Sequence, residues 1–416
     1  MSINSGRYDT IVIGGGPAGL FTALNLTDQN VLLVEKGQRP GRKLLISGTG
    51  QCNFTHSGLI SDFLSHYGTN HRFIRHALHA FSNHHLISFY KSAGIESYED
   101  KNGKIFPASL KSSDILKVLL NSCKDKKVNI LNATPVTQVE LVDGCYNVTC
   151  GKTIFISRNL VIATGGLSYP STGSTGDGYR FAENLGHTIV KPRPALSPVL
   201  IRNYQMADLS GISLPDVLIS LFHNGRKTGE HRGDIVFTLK GLSGPGILDF
   251  SRYISEGDLL KINLIDVNPA AFSDALIQSA RTNGKSTLQS WLKSGNVPKN
   301  LLRFLIEQAG ATPDMRLAEI QKKIRISLAE MLCECPFIVE KPGGYKTAMA
   351  TAGGVSIDEI SPNTMESRIV KNLYFSGEVI DIDGDTGGYN IQAAFSTAFV
   401  AAKAINSKRQ QFKQSG

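Results

Sequence analysis

The sequence predicts an α/β fold in which a Rossmann-like dinucleotide domain is interrupted by a small β unit and a helical unit. Three observations carry this. A buried-strand pattern at the N-terminus runs into a glycine-rich turn, a helix and a second buried strand. A last buried strand and an Ala-rich helix lie at the other end of the chain. Between them, from about His187, the patterning changes to short strands and then to polar helices.

Asp9–Ile13 (DTIVI) is a continuous apolar run, as expected for a parallel strand covered on both faces. Gly14, Gly15, Gly16, Pro17, Ala18 and Gly19 follow, then a helical pattern with Leu20, Phe21, Leu24 and Leu26 on one side. Val31–Val34 is the second strand and ends in Glu35 and Lys36. The spacing Gly14-x-Gly16-x-x-Gly19 between strand and helix permits a tight turn, a backbone approach to a pyrophosphate and close helix–strand packing. The helix N-terminus adds free amides and a partial positive charge. Glu35, 16 residues after Gly19, is placed to accept ribose hydroxyls, and its charge would repel a 2′-phosphate.

Downstream, residues 72–92 read as helical, and Ser113–Leu120 as a short helix. A β-meander is expected at Val128–Leu131, Val136–Val142, Cys145–Cys150 and Thr153–Ile156, before a buried strand at Leu160–Ala163. That strand ends in Thr164-Gly165-Gly166. Asn372–Ser376 is the last strand and closes in Gly377-Glu378, followed by Gly387-Gly388-Tyr389-Asn390 and a helix over 389–405. A meander before an Ala-Thr-Gly strand, with an acid after the last strand, points to FAD rather than NAD as the resident dinucleotide.

Composition bounds the rest. At 416 residues the chain is long enough for two or three domains. It is 41% hydrophobic and 19% charged, which is globular rather than disordered. No apolar run reaches the ~18 residues of a membrane helix, and the first ten residues lack a secretion signal, so the cytoplasm is the expected location. Six cysteines are too few for a disulfide framework. The net charge of +9 permits an anionic partner. Residues 281–330 hold nine Lys/Arg against four Asp/Glu, a local +5.

Several stretches resemble the BaiN/YhiN-like flavoprotein family over essentially the whole length. They are IGGGPAGL at 13–20, PGRKLLISGTGQCNFTH at 40–56, ATGGLSYPSTGSTGDGYRFAENLGH at 163–187, FTLKGLSGPGILDFSR at 237–252, ATAGGVSIDEISPNTMESR at 350–368 and LYFSGEVIDIDGDTGGYNIQAAFSTAF at 373–399. The resemblance implies a Rossmann-like FAD-binding domain (1–190 and 345–416), an inserted β-barrel-like domain (191–268 and 333–344) and an inserted helical domain (269–332). It places FAD contacts at Gly14, Gly16, Ala18, Glu35, Lys36, Lys43, Ser47, Gly48, Gly50, Asn53, Thr164, Gly165, Gly377, Glu378, Gly388, Asn390 and Ile391. Two departures stand out: Gln51 replaces the family's arginine before Cys-Asn, and His56 its frequent asparagine.

The expected function is an FAD-dependent oxidoreductase. With no second GxGxxG, NAD(P)H would dock only transiently. The family's chemistry implies reduction of a polarised C=C bond in a small or undefined substrate. The alternative is a uridine in ribosomal RNA, reduced at C5=C6 to dihydrouridine and gripped by Lys322, Lys323 and Arg325. A non-catalytic FAD-containing module that binds RNA or protein is a third reading. Tyr169, His56 and Lys346 are unranked candidates for a proton donor, and the catalytic residue is not assigned. Cys52 has no resolving partner and reads as structural. Cys333-x-Cys335 and the histidines at 71, 76, 79, 84 and 85 lack metal-ligand patterning, and no metal is expected. Ser243-Gly244-Pro245 reads as a helix start capped by Ser243, with an anion site as the alternative. No Ser/His/Asp set can be placed, so hydrolysis is not indicated.

Overall fold

The computed structural model describes residues 5–27, 29–293 and 297–415. The basic stretch 281–330 therefore contains three residues, 294–296, outside the description, as do four of the first ten.

The chain forms two units, residues 1–195 with 348–416, and residues 196–347. In the first, β1 (Ser5–Ile13) is followed by α1 (Pro17–Asn25) and β2 (Val31–Val34). β1 pairs in parallel with β2, Ile13 opposite Val34, and on its other side with Thr153–Ile162, Ile13 opposite Ile162. Ile11, Val12, Leu32, Leu33 and Leu160–Ile162 are fully buried, which is why these strands read as continuous apolar runs rather than alternating ones.

Thr153–Ile162 is one ten-residue strand, where the sequence suggested two. Its first half pairs antiparallel with Cys145–Cys150, and its last three residues pair in parallel with Leu373–Phe375. The half on the meander is only partly buried and the half in the parallel sheet is buried on both faces, so the pattern changes within one strand. Asn129–Leu131 is not part of the meander. It extends the parallel sheet beyond β2, and the meander is confined to Gln138–Val142, Cys145–Cys150 and Thr153–Ile162.

The helical region 72–92 is two helices, His71–Ala80 and Asn83–Ser92. Ser82 divides them: its Oγ receives the His85 amide and His85 Nδ1 receives the Ser82 amide, a reciprocal cap. The helix expected at 113–120 runs from Ser112 to Asp125. The last helix extends to Ser415 and packs Phe395 against Phe21 of α1, ring centroids 4.9 Å apart.

The second unit is a closed six-stranded antiparallel barrel with helices. Closure leaves no strand edge open to solvent. Its core residues Ile219, Ile235, Phe237 and Leu260 belong to one apolar cluster with Leu276, Leu305, Leu328 and Leu332. The helices of 269–332 thus share the barrel's core rather than forming a third one. The strand Ile189–Ala195, placed by the sequence at the start of the insertion, pairs with Ala350–Val355 inside the first unit. Ser243 does not cap a helix. It ends a strand, and Gly244, at φ 90°, precedes Pro245–Phe250. Among the described residues, no helix is long and apolar enough to cross a membrane.

Candidate dinucleotide site

A cleft opens at the carboxyl ends of β1, β2 and Thr153–Ile162, where the parallel strands meet the N-terminus of α1. The three fingerprint glycines do different jobs there. Gly14 has φ +106°, and a Cβ on it would lie 2.4 Å from the Ala163 carbonyl oxygen. A Cβ on Gly19 would lie 1.9 Å from the Gly14 carbonyl oxygen, so α1 rests directly on the turn. A Cβ on Gly16 would meet no atom within 4 Å. The space beside Gly16 is therefore not needed for packing. It faces the cleft at a helix N-terminus that has no side-chain cap and no acidic residue in its first turn. Uncapped amides beside open space are what a pyrophosphate requires.

Glu35 is held by two amides: Gly15 donates to Oε2 at 2.7 Å and Gly37 to Oε1 at 2.6 Å. A carboxylate offers about four lone-pair directions, so both oxygens retain capacity for ribose hydroxyls. Lys36 lies 2.6 Å from Asp177 and also contacts Thr175, which brings the 172–177 loop to the mouth of the cleft. Gly377, at φ +73°, approaches α1 so closely that a Cβ would sit 2.8 Å from Ala18 Cβ.

Lys43 and Glu378 form an ion pair of 2.6 Å inside the cleft, both about a quarter exposed or less. Glu378 Oε1 also accepts Ser168 Oγ at 2.8 Å and the Thr351 amide at 2.9 Å, and Lys43 contacts Ser168 Oγ. Thr351 Oγ1 in turn accepts the amides of Leu167 and Ser168. Ser168 and Thr351 are fully buried. The lysine is thus anchored by a carboxylate and a hydroxyl, themselves braced by Thr351, from three other stretches of chain.

Of the seventeen expected contacts, thirteen line this cleft: Gly14, Gly16, Ala18, Glu35, Lys36, Lys43, Ser47, Thr164, Gly165, Gly377, Glu378, Asn390 and Ile391. Gly48, Gly50, Asn53 and Gly388 do not. Asn53 braces its own loop, donating to the carbonyls of Thr55 and Ile105 at 2.8 and 3.0 Å. Gly388, at φ +96°, lies against the Thr55 backbone, and a Cβ on it would sit 2.6 Å from the Thr55 carbonyl oxygen. Gly48 and Gly50 give the loop its left-handed turns, at φ 53° and 88°. Ser168, Thr351 and Asp177 carried no signal of their own: they are short polar residues whose partners lie as far as 141 and 210 positions away.

The proton-donor candidates fall in different places. His56 stacks on Tyr389 (5.2 Å, 15°), as does His66 (4.1 Å, 15°), and His66 Nδ1 is 3.0 Å from Asp385. His56 Nδ1 faces the Ser57 carbonyl at 3.0 Å. Tyr169 is a left-handed turn residue at φ 51°, and Lys346 belongs to the second unit. None of the three lines the cleft.

Cys52 is fully buried, and burial pushes its thiol up to about 12. At pH 8 only on the order of one thiol in 10,000 would be ionised. Iodoacetamide is accordingly expected to leave Cys52 unmodified in the folded protein while alkylating it in urea, as peptide mass mapping would show. Rapid labelling of the native protein would contradict a structural role.

The structure does contain a Ser/His/carboxylate set that the sequence did not reveal. His187 Nε2 is 2.8 Å from Ser367 Oγ, and its Nδ1 is 3.2 Å from Glu359. It is not a hydrolase site. The His187 side chain is fully enclosed, and Ser367 Oγ already receives the amides of Ile369 and Val370. Burial also lowers the His187 pKa, against the pull of Glu359. Among the described residues no cluster of His, Cys, Asp and Glu is arranged to hold a metal.

The fold and the cleft define a protein with a Rossmann-type dinucleotide site and an inserted barrel-and-helix unit. The chain belongs to the family described as HI0933-like protein Rossmann domain, which matches residues 8–404. It is 34% identical over 411 residues to the ribosomal RNA dihydrouridine synthase of Haemophilus influenzae, covering 96% of this chain and 98% of that one. It is 27% identical over 405 residues to the 3-dehydro-bile acid delta(4,6)-reductase of Clostridium scindens, covering 94% and 98%. Among solved structures, a 3-ketosteroid-delta4-(5alpha)-dehydrogenase from Rhodococcus jostii shares the fold at a TM-score of 0.51 and 12% identity, over 96% of this chain and 97% of that one.

Proposed function

We propose that this chain is an FAD-dependent reductase that uses NAD(P)H to reduce a polarised C=C bond, and that the bond is C5=C6 of a uridine in ribosomal RNA. The observation that carries the first part is the cleft, furnished along its length for a resident dinucleotide, in a chain with no second fingerprint. Bound FAD supplies two-electron hydride transfer. The α1 amides and the open side of Gly16 would hold its pyrophosphate and Glu35 the ribose, while Glu378 fixes the Lys43 ammonium within the same cleft.

Two observations favour RNA. One is the 34% identity, over nearly the whole chain, to a relative named for that substrate. The other is the helix Lys322–Cys333. Lys322 and Lys323 are exposed in its first turn, Arg325 follows, and no acid accompanies them. Cations at a helix N-terminus oppose the dipole at a cost of about 0.3–1 kcal/mol each, so they do not serve the helix. The small-enone reading rests on the bile-acid relative, at lower identity.

The test is anaerobic mixing of the purified yellow protein with NADH or NADPH, then with a ribosomal RNA transcript, following flavin bleaching and dihydrouridine by mass spectrometry. One non-covalent FAD per chain, released by acid, is expected. Flavin that stays in the acid pellet would refute the non-covalent attachment, and flavin that neither nucleotide bleaches would refute the NAD(P)H-dependent reductase. Bleaching and turnover of a small enone, with RNA untouched, would move the substrate to the second reading. Replacing Lys322, Lys323 and Arg325 by alanine should flatten the salt dependence of RNA binding by about 2 in log–log slope, without lowering the melting temperature. An unchanged slope would remove these residues from the interface.

A further inference from the structure

The helix His71–Ala80 belongs to the first unit but contributes no residue to the dinucleotide cleft. Its apolar residues Phe73, Ile74, Ala77 and Leu78 are buried in the core of that unit. Its other side carries Arg72, Arg75, His76 and His79, all exposed. Offsets of three, four and seven residues put them on one helix face. At 1.5 Å per residue that face is about 10 Å long.

Nothing neutralises it. None of these four side chains makes a hydrogen bond or ion pair among the described residues. Residues 63–95 contain no Asp or Glu, against Arg72, Arg75, Lys91 and six histidines. Lys91 is 3.9 Å from Glu96 and His66 is 3.0 Å from Asp385, so those two are compensated. Arg72 lies in the first turn of the helix, where there is no acid. A cation there opposes the helix dipole, and a second one three residues on repels it. The arrangement weakens the helix itself, so its use lies outside the helix.

The kind of partner follows from what the face offers. It exposes no apolar side chain, and so has no anchor for a protein hot spot or an acyl layer. Its two guanidinium forks match phosphodiester oxygens. The two imidazoles beside them are flat rings on which unpaired bases stack. Backbone cations interleaved with stacking rings are what a single strand of RNA requires.

The helix is also fastened at both ends to a wall of the cleft. Asn70, just before it, donates to the Asp381 carbonyl at 2.7 Å. The carbonyl of Phe81, just after it, accepts Gln392 at 2.9 Å and Ser396 at 2.7 Å. Asn390, Ile391 and Ala394 of that same stretch line the dinucleotide cleft.

We propose that the face formed by Arg72, Arg75, His76 and His79 docks single-stranded RNA, with phosphates on the arginines and bases on the histidines. The proposal rests on the RNA reading above in taking the docked strand to be that of the substrate. The experiment uses the FAD-loaded full chain and a fluorescent ten-nucleotide oligouridylate, followed by anisotropy across a salt series. Dihydrouridine formation on the ribosomal RNA transcript is measured alongside. The variants are Arg72→Gln with Arg75→Gln, His76→Ala with His79→Ala, and Lys124→Gln, an exposed control on the helix Ser112–Asp125. The arginine pair is expected to lower affinity at least about tenfold and to make the log–log salt slope shallower by about 1.4, at ~0.7 per phosphate contact. The histidine pair is expected to lower affinity at least about fivefold. Lys124→Gln should bind as the wild type does, and every variant should keep its FAD content and melting temperature. Oligouridylate that does not bind the wild type, or binds the arginine pair with wild-type affinity and slope, overturns the face. An unchanged affinity in the histidine pair overturns the stacking role. If the arginine pair loses binding to phosphatidylserine vesicles but not to oligouridylate, the face serves a membrane and the proposal fails. The two readings fail separately. A wild type that forms no dihydrouridine, while the arginine pair still loses oligouridylate, ends the uridine reading and leaves the face. Dihydrouridine formed normally by an arginine pair of wild-type affinity ends the face and leaves the uridine reading.

Discussion

Replacing Gly16 by valine is expected to give a folded protein without its cofactor. The Cβ direction of Gly16 is empty to 4 Å, so the added carbons displace no protein atom. Its φ of −74° and ψ of 180° are extended values that valine adopts readily. The branched side chain instead fills the space in which backbone and pyrophosphate meet. A clash with a ligand in a rigid turn cannot be relieved as one with a flexible side chain can. FAD content should drop from one per chain to below about a twentieth, with affinity lost by three orders of magnitude or more, equivalent to about 4 kcal/mol. Absorbance of the purified protein and titration of the apo form with FAD measure this. Stability must be compared between apo forms, because bound FAD itself raises the apparent stability by mass action. Full FAD occupancy would mean that the cradle lies elsewhere.

The smaller substitution Gly19→Ala is expected to do greater damage of a different kind. A Cβ there would sit 1.9 Å from the Gly14 carbonyl oxygen, a backbone atom fixed by the amide of Gly14 donating to the Val34 carbonyl at 2.9 Å. Neither partner can rotate away. Relief requires α1 to move off β1, which opens the contacts of Phe21 with Phe81 and Phe395, both at 4.9 Å. Alanine would ordinarily stabilise a helix by up to about 1 kcal/mol over glycine, so the expected loss of more than about 4 kcal/mol belongs to the exceptional class of substitutions. Urea denaturation of the apo protein should show it as a lower midpoint in the first transition, or as failure to accumulate soluble protein. A wild-type midpoint would show that α1 does not rest on the turn as described. Together the two variants separate a glycine kept for the ligand from one kept for packing, although both belong to one short motif.

That motif was readable because its physics is local. A strand, a turn and a helix N-terminus within about a dozen residues leave few alternatives to three glycines, and Glu35 follows at the end of the next strand. The rest of the meander, without Asn129–Leu131, and the closing Gly-Glu were readable for the same reason. Resemblance carried the set further and gathered mostly residues that line one cleft. It placed Asn53 and Gly388 there too, where the structure uses them to hold a loop and to let the last helix approach Thr55. A spacing pattern cannot separate a residue that touches the ligand from one that shapes the loop beside it.

By itself, then, the sequence determined the parallel core, the glycine turn at the N-terminus of α1 and the acid at the end of β2, since each depends on residues a few positions apart. Only the tertiary structure decided that Lys43 is anchored by Glu378 and Ser168, and that His187 meets Ser367 and Glu359 in a closed pocket. Those groups come from opposite ends of the chain. What brings them together is strand order, with Thr153–Ile162 placed beside β1 and Leu373–Phe375 beside Thr153–Ile162, and strand order is set by burial of the whole sheet rather than by any one segment of it.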